Sequence, residues 1–459
     1  MSFWKRKDPF HHLRKTLGEG KVLTSPEDLA VYAGDATLFR SQPAAVVFPE
    51  SVNDVQTIVS FARETGMAIT PRGAGSGLSG GSVPVEAGIV LSCERMKNVT
   101  GFNPRERTIL VQPGVVTATL QEMVGKYGLF YPPDPSSHTV STIGGNIAEN
   151  AGGLRCFKYG VTGHYVLGLE FVNAAAEVIH TGILRKRHTE PDLTPLLVGS
   201  EGTLGIITTA ALRLIPKPEA TATLAAYYSD AESALRVVES IIGARVVPAV
   251  MEFIGRRALS AAAAHVGADY PAQAGAMLLL EVDGSPDEVE VLKGEVAGLA
   301  AIDALEIHWA ENEDERDRLW SLRRGISPSL IRLSTGKIHE DVAVPRGQLL
   351  NLIRGVSDIS AQFGLEIPCY GHAGDGNLHT VILYDAGNPK SASRAKEAVA
   401  AIFRAALELG GTITGEHGIG CAKREFLPWQ RPEPVINLFR KVKSQLDPEG
   451  IFNPGKVLL

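Results

Sequence analysis

A glycine-rich stretch from Arg72 to Gly81, R-G-A-G-S-G-L-S-G-G, constrains the fold of this chain most strongly. Gly75, Gly77 and Gly80 match the G-x-G-x-x-G spacing that opens a helix in many dinucleotide-binding folds. A strand-like run precedes the stretch, but Pro84 and further strand-like residues follow it where that fold requires a helix. We therefore predict a loop whose backbone N–H groups form a nest for a pyrophosphate, because glycine permits positive φ and close approach.

Length and charge exclude several classes of protein. A chain of 459 residues is long enough for two or three domains. Its net charge of -6 argues against nucleic-acid binding, which requires a basic surface. The four cysteines contain no C-x-x-C pair, so no iron–sulfur or zinc-ribbon motif is expected. No apolar run reaches a membrane span of ~18 residues and no signal peptide is expected. We expect a cytoplasmic protein, with membrane association only through a partner.

The predicted pattern of secondary structure changes at I-P-K-P, residues 215–218. Short strands and glycine-rich loops predominate before this point, and strands alternating with long helices follow it. The second pattern is typical of an α+β domain whose sheet is covered by helices. We predict a helical segment over residues 1–35, a first domain over 36–215, a substrate or cap domain with the metal site over 216–425, and a C-terminal segment over 426–459 that returns to the first domain.

Further stretches share the polar, glycine-rich character of the first loop. They read D-P-S-S-H-T-V-S-T-I-G-G-N-I-A-E-N-A-G-G over residues 134–153 and G-S-E-G-T-L-G-I-I-T over residues 199–208. With the first loop and the closing L-D-P-E-G-I-F-N-P-G-K-V-L, they resemble the FAD-binding half of the vanillyl-alcohol-oxidase type flavoproteins. Within that group the chain resembles the FAD-dependent D-2-hydroxyacid dehydrogenases, namely glycolate oxidase FAD subunits and D-lactate dehydrogenases. The resemblance covers nearly the whole chain.

This resemblance implies an α+β fold with a two-part FAD-binding domain of the vanillyl-alcohol-oxidase/PCMH type and an α+β cap domain with a helix-covered antiparallel sheet. Non-covalent FAD is expected, because the histidine that some relatives attach to FAD lies in the first glycine-rich loop, which has none here; His138 is the one histidine nearby. The implied cofactor contacts are Arg72, Gly73, Ala74, Gly75, Ser76, Gly77, Ser79, Gly80, Pro133, Asp134, Ser137, Ser141, Thr142, Gly145, Asn146, Asn150, Gly152, Gly153, Glu201, Gly205, Ile206, Ile207 and Asn453.

A second polar cluster, Y-G-H-A-G-D-G-N-L-H over residues 370–379, interrupts strand-like sequence. If the flanking runs form a hairpin centred near Asp375, then His372 and His379 lie on facing arms, where cross-strand Cβ atoms come within ~5 Å. Glu416, in T-I-T-G-E-H-G-I-G, offers a third ligand. Two imidazoles and one carboxylate suit a catalytic metal site with open positions. The alternative is two surface histidines on a polar turn.

The same resemblance implies roles for these residues. His372, His379 and Glu416 are expected to bind a divalent metal, zinc first, with manganese or iron as alternatives. Asn377 is expected to contact substrate and His417 to act as the catalytic base. A metal that binds a substrate hydroxyl lowers its pKa, and a neighbouring imidazole can accept the proton while flavin accepts the hydride.

A carboxylate substrate also requires a cation. Arg323 follows Trp320 by three residues in L-W-S-L-R-R, which matches the W-x-x-R motif of the family and favours Arg323 over Arg324 as a substrate ligand. Lys337 is a second candidate for substrate binding, although its alignment with the family motif is looser.

These expectations give one leading function and two alternatives. The leading function is FAD-dependent oxidation of a small D-2-hydroxy acid, D-lactate or glycolate, to the 2-oxo acid. The second is the same reaction on D-2-hydroxyglutarate or a longer or aromatic 2-hydroxy acid. The third is a flavin-bearing subunit that relays electrons within a complex. The expected electron acceptor is an iron–sulfur subunit, an electron-transfer flavoprotein, a cytochrome or a quinone, and a homodimer is one option for the assembly.

Overall fold

The computed structural model describes residues 8–85, 87–182 and 191–458 of the chain. Residues 1–7 of the helical segment predicted over 1–35, and Leu459 of the predicted C-terminal segment, lie outside the described residues. Residues 86 and 183–190 of the first predicted domain also lie outside them.

Two small sheets form the scaffold of the first half. The helices there are α1 (His11–Leu17), α2 (Pro26–Val31), α3 (Val52–Thr65), α4 (Thr117–Gly125), α5 (Ile143–Glu149), α6 (Cys156–Tyr159) and α7 (Thr194–Leu197). The strands are β1 (Val22–Leu23), β2 (Ala45–Val47), β3 (Ile69–Arg72), β4 (Ile89–Ser92), β5 (Val99–Asn103), β6 (Thr108–Val111), β7 (Leu129–Phe130), β8 (Val166–Val172), β9 (Val178–Gly182), β10 (Ile206–Arg213) and β11 (Ile215–Pro216).

The first sheet has the order β1-β2-β4-β3, with β2, β4 and β3 parallel. The second has the order β5-β6-β10-β8-β9 and is antiparallel, and β11 pairs with β7. β3 ends at the start of the first glycine-rich loop, and the described residues between that loop and β4 contain no helix. This arrangement agrees with the prediction that the stretch forms a loop and does not open a helix as in the usual dinucleotide-binding fold.

Helix α3 shows how local sequence sets an element in this half. Ser51 caps it by accepting a hydrogen bond from the N–H of Asp54, and Gly66 ends it in the left-handed conformation. Val55, Ile58 and Val59 are buried on the face that packs into the core beside β2 and β4.

A seven-stranded antiparallel sheet dominates the second half. Its order is β15-β12-β14-β13-β17-β18-β16. The strands are β12 (Ala220–Tyr228), β13 (Val250–Gly255), β14 (Ala276–Gly284), β15 (Ala304–Trp309), β16 (Gly336–Ala343), β17 (Cys369–His372) and β18 (Asn377–Tyr384). The helices are α8 (Ala231–Gly243), α9 (Arg256–Val266), α10 (Pro286–Ala300), α11 (Glu313–Leu330), α12 (Leu349–Phe363), α13 (Pro389–Glu408), α14 (Leu427–Gln430) and α15 (Glu433–Leu446).

Helices cover both faces of this sheet, because its central strands are apolar on both sides. Along β14, Leu278 and Leu280 pack in the cluster that includes α8, α10, α12 and α13. Met277 and Leu279 point the opposite way, into the cluster that includes α9 and α11. Alternate side chains on a strand point to opposite faces, so two separate helix layers follow from one apolar run.

The predicted α+β class with a helix-covered antiparallel sheet is confirmed. The division of the chain into four segments remains a prediction. Among residues 8–85, 87–182 and 191–458, no helix combines the length and apolar character needed to cross a bilayer.

Candidate active site

A cavity of about 980 Å³ lies between the glycine-rich loops of the first half and the α11 side of the seven-stranded sheet. Most of the predicted cofactor residues line it: Arg72, Gly73, Ala74, Gly75, Ser76, Gly77, Asp134, Ser137, Ser141, Thr142, Gly145, Asn146, Gly152, Glu201, Gly205, Ile206 and Ile207. The remaining six do not: Ser79, Gly80, Pro133, Asn150, Gly153 and Asn453. At the other end the lining includes Arg323, Lys337, His379, Glu416 and His417.

The first glycine-rich loop presents free backbone donors to this cavity. The backbone N–H groups of Ala74, Gly75, Ser76 and Gly77 donate to no other group within the described part of the chain. Consecutive free N–H groups at a cavity wall form a site for an anion. The guanidinium of Arg72 donates to the carbonyl of Gly34 at 2.7 Å. This contact helps to hold the start of the loop in place.

Several polar residues of the second stretch hold its shape. The Asn146 amide donates to Thr117 Oγ1 at 2.7 Å, and Asn150 Oδ1 accepts from the N–H of Gly163 at 2.8 Å. Gly153 has φ +148°, and a Cβ there would lie 2.2 Å from the carbonyl oxygen of Asp134. These contacts explain why the stretch needs this sequence even where a side chain does not face the cavity.

The C-terminus joins two of the loops. The Asn453 amide donates to the carbonyls of Gly81 at 2.9 Å and Glu201 at 2.8 Å. The carboxylate of Glu201 in turn accepts from the N–H groups of Ile419 at 2.7 Å and Gly420 at 2.6 Å. Glu201 thereby connects the third glycine-rich stretch to the segment that carries Glu416.

The histidine cluster does form a hairpin, although its register differs from the prediction. β17 and β18 pair Tyr370 with His379, so His372 and His379 are diagonal neighbours and not direct partners. Both face the α11 side of the sheet, and their ring centroids are 5.1 Å apart. Diagonal pairs on one face remain within reach of long side chains, which brings the two imidazoles together.

Glu416 completes this group. Its Oε1 lies 3.4 Å from Nε2 of His372 and 3.5 Å from Nε2 of His379. One ligand atom from each of the three residues lies within 4.8 Å of the other two. The close approach depends on Gly152, where a Cβ would lie 2.8 Å from Glu416 Oε2. A loop of the first half thus leaves room for a ligand from the second half.

Glu252 on β13 orients the first imidazole. Its carboxylate accepts from His372 Nδ1 and from Nε of Arg323 at 2.5 Å. Burial would raise the pKa of Glu252, but the charges of Arg323 and His372 outweigh it and lower the pKa to about 2. Burial would likewise lower the pKa of His372, and Glu252 and Glu416 raise it instead. A carboxylate behind a histidine is the usual outer partner of a metal ligand.

Asp341 on β16 organises the loop from Gly415 to His417. It accepts from the N–H groups of Gly415 and Glu416, each at 2.6 Å, and lies 3.1 Å from His417 Nδ1. The buried Lys423 donates to it at 2.6 Å. Burial would raise the pKa of Asp341, but His417 and Lys423 hold it well below its usual value. This contact leaves Nε2 of His417 facing Glu416, with 4.0 Å between Nε2 and Oε1.

The predicted substrate cations differ in their surroundings. Arg323 on α11 is buried, and its Nη2 has no hydrogen-bond partner in the described residues. Lys337 on β16 is half-buried, lines the cavity and forms no ion pair within residues 8–85, 87–182 and 191–458; burial lowers its pKa. Asn377 is buried against Gly415 outside the cavity lining, and its Oδ1 has no partner among the described residues.

The residues present fit both groups that the sequence implies. Free backbone donors on a glycine loop, in a cavity of about 980 Å³, suit an elongated anionic cofactor such as FAD. Two buried imidazoles, one carboxylate and an outer carboxylate suit a divalent transition metal. His138, the one histidine near the first loop, lies 3.3 Å from Asp134. Non-covalent binding of FAD remains a prediction.

Sequence reasoning missed Glu252, Asp341 and Lys423 as parts of this site. A signal was present for two of them: Glu252 and Asp341 are acids inside otherwise apolar strands, A-V-M-E-F-I and E-D-V-A-V-P. Buried acids within a sheet generally have a buried partner. The partners, however, are 71 or more residues away along the chain, so the sequence did not indicate which groups they would meet.

Comparison with known proteins shows the family of this chain. The family described as FAD binding domain matches residues 43–182, and the family described as FAD linked oxidases, C-terminal domain, matches residues 217–457. The chain is 42% identical over 454 residues to the glycolate oxidase subunit GlcD of Bacillus subtilis, covering 98% of this chain and 97% of the relative. It is 36% identical over 415 residues to the D-lactate dehydrogenase of Archaeoglobus fulgidus, covering 90% of this chain and 91% of the relative.

Solved structures with the same fold include the 4-ethylphenol oxidase from Gulosibacter chungangensis. Its TM-score is 0.82 at 18% identity, over 98% of this chain and 96% of that one. At this identity the likeness concerns the fold alone. It confirms the predicted fold of the vanillyl-alcohol-oxidase/PCMH type.

Proposed function

The chain belongs to the family of FAD-linked oxidases, and from this premise we propose that it oxidises a small D-2-hydroxy acid to the 2-oxo acid. D-lactate and glycolate are the first candidate substrates. The names of the relatives, a glycolate oxidase subunit and a D-lactate dehydrogenase, support this choice.

One observation carries the proposal. Arg323, whose Nη2 has no hydrogen-bond partner in the described residues, and His417 line the same cavity as the glycine-rich loops. A guanidinium suits a carboxylate, and an imidazole suits an alcohol proton. A 2-hydroxy acid carries both groups on adjacent carbons, beside the carbon that loses hydride.

Each residue of the site has a separate proposed role in substrate binding or proton transfer. Arg323 binds the substrate carboxylate, and Glu252 keeps the guanidinium in place. His417 accepts the hydroxyl proton at Nε2, while Asp341 at Nδ1 fixes the ring and stabilises the positive charge that it gains. Asn377 is a further candidate for contact with the substrate.

Two groups would be bound from outside the chain. FAD, held by the glycine-rich loops, supplies the acceptor for the hydride that leaves the substrate Cα. A divalent metal, held by His372, His379 and Glu416, supplies a charge that lowers the pKa of the substrate hydroxyl. Zinc is the first candidate, with manganese or iron as alternatives.

A second substrate class has one observation in its favour. Lys337 lines the cavity as a half-buried amine without an ion pair in the described part of the chain. A second carboxylate would pair with it. D-2-hydroxyglutarate is therefore the first alternative, followed by a longer or aromatic 2-hydroxy acid.

The electrons must then leave the flavin for an acceptor. The sequence has no cluster-binding cysteine motif, so we propose a separate acceptor: an iron–sulfur subunit, an electron-transfer flavoprotein, a cytochrome or a quinone. The name of the Bacillus relative, a subunit, supports assembly with other chains. A flavin-bearing relay subunit without its own substrate is the alternative of another class.

Anaerobic reduction of the flavin tests these proposals. Purified FAD-loaded protein is mixed with glycolate and with the D- and L-isomers of lactate, 2-hydroxyglutarate, a longer aliphatic 2-hydroxy acid and an aromatic 2-hydroxy acid, and loss of the flavin absorbance is followed. We expect bleaching by D-lactate or glycolate, and slower bleaching after removal of metal by a chelator. Bleaching only by D-2-hydroxyglutarate would select the alternative substrate. No bleaching by any acid, with zinc or manganese restored, would leave the relay subunit.

A further inference from the structure

A fourth imidazole lies beside the proposed metal ligands. His339 is on β16, two residues before Asp341, and therefore on the same face of the sheet. Its ring centroid is 5.5 Å from that of His379 and 5.3 Å from that of His417. One ring nitrogen from each of the three histidines lies within 4.8 Å of the other two. This set contains no carboxylate.

We propose that His339, His379 and His417 form a second cation position that the catalytic assignment does not use. It shares His379 with the proposed catalytic set of His372, His379 and Glu416, so occupation of one position excludes full occupation of the other. The inference rests on the proposed function only for its effect on turnover, because the binding itself needs no substrate.

The surroundings of the three rings support a built position. Nε2 of His339 is 3.3 Å from the hydroxyl of Tyr370. Nδ1 of His417 lies at an ion-pair distance of 3.1 Å from Asp341, without hydrogen-bond geometry. Each of these rings thus has one oriented nitrogen and one that remains for a ligand. His379 is 3% exposed, and its Nδ1 has no hydrogen-bond partner in the described residues. A buried ring nitrogen without a hydrogen-bond partner lowers the stability of the folded state, and such atoms are rare unless a ligand binds them.

The donor chemistry separates the two positions. The catalytic set includes a carboxylate, which manganese and other oxygen-preferring ions accept, whereas three imidazoles favour copper, nickel and zinc. An ion on the nitrogen-only position would occupy His417, the proposed proton acceptor. We therefore expect late transition metals in excess to inhibit turnover, because they remove the base and one catalytic ligand together.

Copper binding tests the position without reference to activity. In full-length, FAD-loaded protein, His372→Ala with Glu416→Gln removes two of the three catalytic ligands and leaves the three nitrogens. We expect this variant to bind one Cu²⁺ whose electron paramagnetic resonance spectrum shows coupling to several nitrogens. Adding His339→Leu should weaken that binding at least about tenfold. His180→Leu, an exposed histidine on β9, is the matched control and should leave it unchanged.

Equal copper affinity with and without His339 would overturn the proposal, as would the same loss in the His180 control. If the double variant does not fold, the single His339→Leu variant decides. For this variant, the Zn²⁺ or Cu²⁺ concentration that gives half-maximal inhibition of turnover should be at least about tenfold higher than for the native chain. An unchanged concentration would contradict the proposal. Failure of the proposed function has a separate signature, since no acid would then bleach the flavin while the copper result would stand.

Discussion

The carboxylate of Asp341 lies 3.1 Å from Nδ1 of His417 and so links strand β16 to the loop that carries the proposed base and metal ligand. The same carboxylate accepts from the backbone of Gly415 and Glu416, each at 2.6 Å. One residue therefore fixes both the imidazole and the loop under it. Its removal should affect chemistry more than binding of the cofactor.

Asp341→Asn should slow anaerobic flavin reduction by about 100-fold or more, because asparagine cannot stabilise an imidazolium and loses acceptors for the loop N–H groups. FAD content should stay the same. Stopped-flow absorbance at saturating hydroxy acid measures the rate. Asp358→Asn, an exposed acid on α12, is the control. A rate within about twofold of the native value would remove Asp341 from the mechanism.

Arg323 and Arg324 are adjacent but differ in position, which gives a matched pair of substitutions. Both line the cavity, but Arg323 is buried and its Nη2 has no hydrogen-bond partner among the described residues, whereas Arg324 is exposed. Arg323→Lys keeps the charge but loses the planar fork, so kcat/KM should fall at least about tenfold. Arg324→Lys should change it by less than about twofold. Similar losses in both variants would contradict the assignment of the carboxylate to Arg323.

Glu252→Gln should weaken retention of the metal by about 10- to 100-fold, because the amide no longer holds the His372 ring through a charged hydrogen bond. Metal content after dialysis against graded chelator measures this. Glu281→Gln is the control, since Glu281 is equally buried on the neighbouring strand β14 and binds Arg316 and Trp320 instead of a histidine. Equal retention in both variants would show that Glu252 has no role in metal binding.

The pair of Lys21 and Asp54 should make stability depend on pH. Nζ of Lys21 is 2.8 Å from Asp54. Burial would raise the pKa of Asp54, but hydrogen bonds from Lys21 and from the backbone of Glu50 hold it below the usual value. A lowered pKa contributes stability above the unfolded pKa of about 3.9 and loses it as pH falls through the folded pKa.

Asp54→Asn should therefore lower the free energy of unfolding at pH 7 by roughly 1 kcal/mol or less, and the difference from the native chain should shrink below about pH 4. Urea unfolding at both pH values measures it. Glu64→Gln, an exposed acid on the same helix α3, should have no such effect. A difference that grows on acidification would reverse the assigned sign.

Much of the fold could be predicted from the sequence because its signals are local. Val166–Val172, Ala304–Trp309 and Pro286–Ala300 have the bounds that their apolar runs and breakers indicate. The sequence gives little signal for helix α5, because G-G-N between Ile143 and Ile147 is typical of a loop and the burial of Ile143 and Ile147 makes it helical. The signal for β12 is weak for a related reason, because its alanines favour a strand only when both faces are buried.

The sequence by itself determined the chemistry that this protein can carry: glycine loops for an anionic cofactor, two histidines on a hairpin, and a Glu-His pair further on. Only the tertiary structure decided how these groups meet. The register of β17 and β18 makes His372 and His379 diagonal neighbours, and the guanidinium of Arg72 binds the carbonyl of Gly34. Glu252 enters the site from β13, and Asp341 and His339 enter it from β16, because sheet pairing and burial place residues together that no spacing along the chain relates.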